Sequence, residues 1–352
     1  MSDSEKPFVH LHVHTEFSTS QGRDGLSKIP KLVARAKELE MPALAITDHA
    51  NMFGAMNFYR ACKDAGIKPI IGVETYLAEG DRTEKDSNYK RQTHLLLIAK
   101  NKVGYQNLLK IVSESQLTGF YQRPRVDKQL LAAYAEGIIC TSGCLSGEIP
   151  KTLFELSSTD DDLPENNNGP LSIRGDENKA RRLIGEYQDI FGKENFFLEL
   201  QSHERLNDNL NRWLIDNQAY ADAPLVATND VHYILDEDYD AHDFLTCILK
   251  NKTFADPRRL KHPRSLHLRS AQEMWDLFGD SAPSSLYNTV LIAEMCELDL
   301  DDRRYHLPVF PVPQGYDATT YLRALARRGA EWRYGSDWQK FWPRLEYELG
   351  II

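Results

Sequence analysis

FVHLHVHTEFS, residues 8–18, places His10, His12 and His14 at alternate positions in a run otherwise rich in Phe, Val and Leu. Strand side chains have a period of two, so a strand here turns all three imidazoles to one face. Similar β-rich runs recur at 43–47, 69–77, 93–99, 137–141, 196–200 and 225–228, giving seven expected strands. Between them Ile29, Val33, Ala36 and Leu39 recur at helical spacing, as do Leu206, Leu210, Trp213 and Leu214. Pro30 suits a first helical turn, and Gly66 suits the end of a helix starting near Met52. The alternation predicts an α/β fold with a mainly parallel sheet, open or closed into a barrel. After His232 the pattern turns helical, at 236–250, 271–278, 284–298 and 319–334, which places a boundary near 267 and a helical extension at 268–352. The polar stretch SSTDDDLPENNNGPLSIRG, 157–175, reads as a flexible insertion.

The length of 352 residues, with 41% hydrophobic and 27% charged, excludes collagen-like, wholly disordered and disulfide-scaffold classes. No apolar run approaches the ~18 residues of a membrane span, so a cytoplasmic protein is expected. Five cysteines without a CxxC pair read as reduced thiols. The net charge of −10 disfavours nucleic-acid binding by composition alone.

The chemistry gathers at strand ends. Asp48 and His49 follow the second expected strand, Glu74 lies in the third, Cys144 follows the fifth, and Asp230 and His232 follow the seventh. Polar groups at the carboxyl ends of strands mark sites in α/β barrels and open sheets. Imidazoles suit Zn, Mn or Fe, and a carboxylate can bridge two ions, so a multinuclear metal site is expected. His94 stands at the start of its strand; either that strand runs antiparallel to its neighbour or its boundaries differ. Asp48 reads as a group that orients a ligand or bound water. Cys62, Cys140, Cys247 and Cys296 read as packing residues, and His242, His262, His267 and His306 as structural or exposed.

HLHVHTEFS, ALAITDHANMFG, GIKPIIGVETYL, HLLLIAKN, TSGCLSGEIP and VATNDVHY closely resemble the PHP (polymerase and histidinol phosphatase) domain. More narrowly they resemble the amino-terminal region of the alpha subunit of bacterial DNA polymerase III. The similarity continues through GYQNLLKIVS, RPRVDKQLL, AHDFLTCI, SAQEMWDLF and YHLPVFPVP. The resemblance implies a distorted seven-stranded barrel at 1–267 and nine ligands: His12, His14, Asp24, His49, Glu74, His94, Cys144, Asp230 and His232. It implies up to three divalent ions (Zn, Mn or Fe, with Mg possible): the first on His12, His14, Glu74 and Asp230, the second on Glu74, His94 and Cys144, the third on Asp24, His49 and His232. Glu74, Asp230 and His232 would carry catalysis. His10, outside that set, reads as a packing group or a support for the ligands.

The reaction implied is phosphoester hydrolysis, and by the polymerase resemblance a 3′–5′ proofreading exonuclease acting on the 3′ end of a DNA primer strand. Lys90, Arg91, Arg123, Arg125 and the run PRRLKHPR at 257–264 would contact a nucleic-acid backbone, with Phe120 and Tyr121 as stacking candidates. A non-catalytic metal-stabilised scaffold and a histidinol-phosphatase-like enzyme are the competing classes. Relatives continue into a polymerase palm, so the chain reads as an amino-terminal fragment with no nucleotidyl transfer of its own. The remainder of the subunit in cis, other replisome subunits and a nucleoid-associated location are implied with it.

Overall fold

A computed structural model describes residues 6–19, 24–85, 92–154, 175–203, 205–301 and 307–352. Lys90, Arg91, His306 and all of the 157–175 insertion except Gly175 lie outside them. The chain divides into two compact units, Met1–Leu300 and Asp301–Ile352.

The first unit contains β1 (Ala43–Ile46), β2 (Lys68–Ala78), β3 (Gln92–Ala99), β4 (Arg125–Val126), β5 (Ile138–Thr141), β6 (Phe196–Leu200) and β7 (Leu225–Ala227). One sheet orders them β1-β2-β3-β5-β6-β7, with β4 also paired to β2. Pairing is parallel except at β3, which runs against both β2 and β5. Antiparallel β3 is why His94, at the start of its strand, reaches the same rim as residues that end theirs.

The seven strands among the described residues are not the seven expected. Residues 8–14 make only isolated bridges, His10 with Leu44 and Val13 with Val231. This one segment therefore touches both β1 and the chain just past β7, and curls the sheet towards closure. The backbone bends at His12, which resets the alternation. Val9 and Leu11 join the inner apolar cluster, while Val13 packs with the group under the first two helices. Two-residue β4 supplies the seventh strand; it is too short to carry a readable period.

Helices α1 (Ile29–Glu38), α2 (Ala55–Ala65), α3 (Lys102–Leu117), α4 (Lys128–Ala133), α5 (Glu148–Phe154), α6 (Glu177–Phe191) and α7 (Arg205–Ala221) connect the strands; α8 (Tyr239–Leu249), α9 (Ala271–Phe278) and α10 (Pro283–Met295) follow β7. Pro30 sits in the first turn of α1, and Gly66 ends α2 at φ 78°, a left-handed cap that costs glycine little. The compact unit runs past the boundary expected at 267. Met274, Phe278 and Leu286 are buried in the main cluster, and Ile292, Ala293 and Cys296 in the inner one. Burying each large aliphatic or aromatic side chain among them contributes about 1.5–3 kcal/mol.

Along the inner face the strands change character. Ile70 gives way to Glu74 on β2, Ile139 to Thr141 on β5, Phe197 to Glu199 on β6, and Val226 to Thr228 just past β7; on reversed β3, His94 precedes Leu96 and Ile98. An apolar floor thus carries a buried polar layer. Gly72 permits the close strand packing there: a Cβ would fall 2.5 Å from the Leu97 carbonyl oxygen.

The second unit holds α11 (Ala318–Tyr334) and α12 (Trp338–Ile351), joined by the 3₁₀ turn Gly335–Asp337. Asp317 caps α11 by accepting from Thr320 N at 2.7 Å. Among its described residues only Ala330 is buried. No described helix is long and apolar enough to cross a membrane.

Candidate metal centre

Glu74 is the hub of the polar layer. Its Oε2 lies 2.6 Å from His49 Nδ1, 3.3 Å from His14 Nε2 and 3.4 Å from His12 Nε2. Its Oε1 lies 2.9 Å from His94 Nδ1 and 3.9 Å from Cys144 Sγ. A second carboxylate faces it: Asp230 Oδ1 is 3.0 Å from His14 Nε2, 3.3 Å from His12 Nε2 and 3.5 Å from His232 Nδ1. Asp24 Oδ2 joins through His49 Nε2 at 3.5 Å. All nine residues of the expected ligand set therefore meet in one cluster.

Local structure aims them. The bend at His12 turns that ring inward, and the bridges of residues 10–14 to Leu44 and Val231 hold it beside the ends of β1 and β7. Asp230 adopts φ 47°, a left-handed conformation that aspartate tolerates better than most residues. Several imidazoles use one nitrogen outward and leave the other for the centre. His12 Nδ1 meets Glu199 Oε1 at 2.7 Å, His14 Nδ1 meets Ser18 Oγ at 3.0 Å, and His232 Nδ1 meets the Asp230 carbonyl at 2.8 Å. Such outer bonds fix the tautomer and ring orientation of metal-ligating histidines.

The donor set fits divalent ions. His12 Nε2, Asp24 Oδ1, His49 Nδ1 and Glu74 Oε2 are buried atoms without a hydrogen-bond partner; the His49–Glu74 pair is close but not aligned as a hydrogen bond. Buried polar atoms are normally satisfied. Among the described residues three groups could each hold an ion, their ligand atoms within 4.8 Å of one another: His12, His14 and Glu74; His14, Asp230 and His232; and His49, Glu74 and His94. The electrostatics of the cluster point the same way. Burial opposes charge on His14, but the Asp230 and Glu74 carboxylates beside it outweigh this and raise its pKa to about 9. Burial likewise opposes ionisation of Glu74 and Asp230, yet the surrounding histidines hold both well below the usual carboxylate range. Burial pushes the Cys144 thiol up. Ligands so protonated release protons when a metal binds.

Glu199 is a site residue that the strand-end pattern does not reveal. It is buried in FFLEL, an otherwise apolar strand, and accepts from His12, from Gln201 Nε2 at 3.0 Å, from Thr228 Oγ1 at 2.5 Å and from Thr141 Oγ1. Its signal in the sequence is a lone carboxylate at an inward position of a buried strand. Asp48 acts on the main chain next to His14, accepting from Thr15 N at 2.6 Å and Thr15 Oγ1 at 2.8 Å. Burial raises its pKa to about 6. His10 leaves the ligand face: its Nε2 bonds the Arg269 carbonyl at 2.8 Å and its ring packs edge-on against Phe8. It is a packing residue because the bend at His12 breaks the shared face.

The cluster opens into a cavity of about 160 Å³, lined by Asp24, His49, His94, Cys144, Asp230 and His232 on one side and by Gln201, His203, Thr246, Lys250 and His262 among others. His262, read from the sequence as structural or exposed, stacks 6.2 Å from His232, and His242 Nε2 donates to the Asp24 carbonyl at 2.9 Å. His262 lines the cavity, and His242 holds the main chain of Asp24. Arg123 and Arg125 do not form a nucleic-acid surface. Arg125 is 1% exposed and donates to the carbonyls of Gly119, Arg82 and Glu84; Arg123 is buried over the Tyr76 ring. Their guanidiniums satisfy loop backbone and aromatic neighbours instead.

The family model for the PHP domain matches residues 10–203. The DNA polymerase III subunit alpha of Borreliella burgdorferi is 39% identical over 98% of this chain, and that of Treponema pallidum 37% identical over 98%. The chain spans 28% of the length of each of these curated relatives. Among solved structures, a two-domain protein from Bacteroides vulgatus containing a predicted PHP-like metal-dependent phosphoesterase is a distant likeness, 12% identical with a TM-score of 0.36, covering 82% of this chain and 69% of that one. With the family model spanning more than half its length, the chain belongs to the PHP domain family.

Proposed function

We propose that this chain is a metal-dependent phosphodiesterase that removes nucleotides from the 3′ end of DNA. The observation that carries the reading is the convergence of nine donor side chains, several with unbonded buried atoms, at the floor of an open cavity. His12, His14, Glu74 and Asp230 would hold one ion, Glu74, His94 and Cys144 a second, and Asp24, His49 and His232 a third. Zinc, manganese and iron suit this mixture of imidazole, carboxylate and thiolate, and magnesium is the harder alternative. When bound, such ions polarise a phosphoryl oxygen, lower the pKa of water and stabilise the leaving oxygen.

The chain's own groups do the rest. Glu199 and Ser18 hold the His12 and His14 rings. Leu145, Leu249, Leu260, Pro263 and Leu266 line the cavity and exclude bulk water. Asp230, 16% exposed at the cavity edge, would orient the attacking water while it holds its ion. Similarity to DNA polymerase III alpha subunits supports DNA as substrate, the rest of such a subunit in cis, other replisome subunits as partners, and a cytoplasmic, nucleoid-associated setting.

The test is incubation with Mn²⁺ or Zn²⁺ and end-labelled single-stranded or mismatched-primer DNA, with histidinol phosphate in parallel. Release of mononucleotides that disappears in Asp230→Ala is the expected outcome. Full metal occupancy without turnover would reduce the centre to a structural scaffold, and turnover of histidinol phosphate alone would make the chain a small-molecule phosphatase.

A further inference from the structure

With Arg123 and Arg125 buried, a nucleic-acid strand needs another route to the cavity, and the segment from α8 to residue 264 has the chemistry for one. It lines the cavity next to the ligands: Thr246, Leu249, Lys250, Leu260, His262 and Pro263 all face it, and the His262 ring stacks 6.2 Å from that of His232. In a chain of net charge −10, residues 239–264 hold six Lys or Arg and three Asp. One of those acids is already committed, because Asp243 is buried against Arg259 with both carboxylate oxygens. Arg258 is 85% exposed, with Asp256 Oδ1 3.6 Å from its Nε, and Lys261 is exposed on the same loop.

The same segment displays large apolar groups. Phe244 and Ile248, one turn apart on α8, are exposed, and Phe254 is 53% exposed in the loop between Lys250 and Leu260. Phe254 is not a loose side chain. The Arg259 guanidinium lies 4.4 Å from its ring centroid, and Arg259 Nε donates to the Phe254 carbonyl at 3.0 Å. Arg259 is in turn fixed by its two-pronged bond to Asp243, with Nη2 2.7 Å from Oδ2. One face of the aromatic ring is thus clamped from within, while the ring remains open to solvent. A fixed, exposed aromatic flanked by cations is how proteins stack an unpaired base while tracking its backbone.

We infer that residues 244–264 form the binding track for a single strand of nucleic acid, with Phe254 stacking on a base and Arg258 and Lys261 contacting phosphates as the strand end enters the metal cavity. The inference rests on the hydrolytic reading and deepens it by naming where its polymeric substrate lies. Charge complementarity selects this occupant, since the track continues into a cavity whose cations would receive a phosphate.

The experiment measures binding without turnover, using the full chain in an Asp230→Ala background and an oligodeoxynucleotide carrying 2-aminopurine near its 3′ end. Phe254→Ala should weaken binding about tenfold and abolish the 2-aminopurine stacking signal, while Phe254→Trp retains both. Arg258→Ala with Lys261→Ala should reduce the slope of log affinity against log salt by about 1.4, at about 0.7 for each phosphate no longer neutralised. Metal content and thermal melting of each variant, measured alongside, separate loss of the track from loss of the fold. Unchanged affinity and an unchanged stacking signal in Phe254→Ala would overturn the inference, as would a strand displaced equally well by heparin from parent and variant. If binding depends on Phe254 but the parent protein hydrolyses no DNA, the track stands and the exonuclease reading fails; hydrolysis with Phe254-independent binding gives the reverse.

Discussion

The two compact units bury their residues in opposite ways. In the first, three apolar clusters enclose a polar layer in which carboxylates, imidazoles and a thiol sit out of solvent. In the second, two helices leave Leu322, Leu325, Trp332, Phe341 and Tyr347 exposed and bury Ala330 alone among the described residues. Its visible order comes from local devices: the Asp317 cap, the Tyr334–Phe341 stack at 4.0 Å, and the Arg327–Glu331 and Arg344–Glu348 pairs. Exposed ion pairs of this kind contribute at most about 1 kcal/mol each. The lesson is that a costly polar cluster persists only where apolar burial around it is extensive.

Substitution should divide the units sharply. Phe196→Ala removes a fully buried ring stacked on Tyr187 in the first unit, and denaturant unfolding should show a loss of about 3–5 kcal/mol. A loss under about 1 kcal/mol would mean the core around the site is not close-packed. Next in size, Glu199→Gln withdraws the charge behind His12 and should weaken metal binding about 10–100-fold in a chelator competition, with the fold intact. Equal affinity would show that His12 needs no such partner. A smaller effect is expected from pH. Burial lowers the His203 pKa to about 4, below the ordinary value near 6.5. The unfolded chain therefore binds a proton that the folded chain refuses between those values, so the contribution is complete above about pH 6.5 and is lost as pH falls towards 4. His203→Leu should flatten the stability profile in that window by up to about 1.4 kcal/mol per pH unit; parallel profiles would count against a neutral imidazole there. Trp332→Ala, at a residue 83% exposed, should change stability by no more than about 0.5 kcal/mol. A large effect there would show that the second unit has a core of its own.

Much of this was legible from the chain because periodicity and strand ends are local signals. Helices α1, α7, α9 and α11 follow their apolar spacing, and His49, Glu74, Cys144, Asp230 and His232 sit where βα alternation puts chemistry. Other features depend on tertiary context. Whether Arg125 meets solvent or three loop carbonyls is decided by how the β4 loop closes, and a Pro-Arg-Val stretch holds no trace of that. Glu199 resembles a core position because its neighbours are core, and only the change from apolar to polar layer, seen across several strands at once, gives it meaning. His10 misleads for the converse reason: alternation holds on paper, but a bend at His12 breaks it. His203 and His262 reach the cavity from loops, where spacing carries no directional information.

The left-handed backbone at Asp230 has a consequence for how such a site is lost. Two demands meet there, a carboxylate for the cluster and a φ of 47° for the chain. Without the first demand, glycine relieves the second, while β-branched residues remain excluded by backbone sterics. The paths of neutral change are therefore unequal: His12 or His94 could be replaced by many side chains of similar volume, but position 230 has few exits. A descendant that abandoned metal should favour glycine or asparagine over β-branched residues at this position, although Glu40, Ala50 and Gln122 show that other side chains hold a similar φ in this chain.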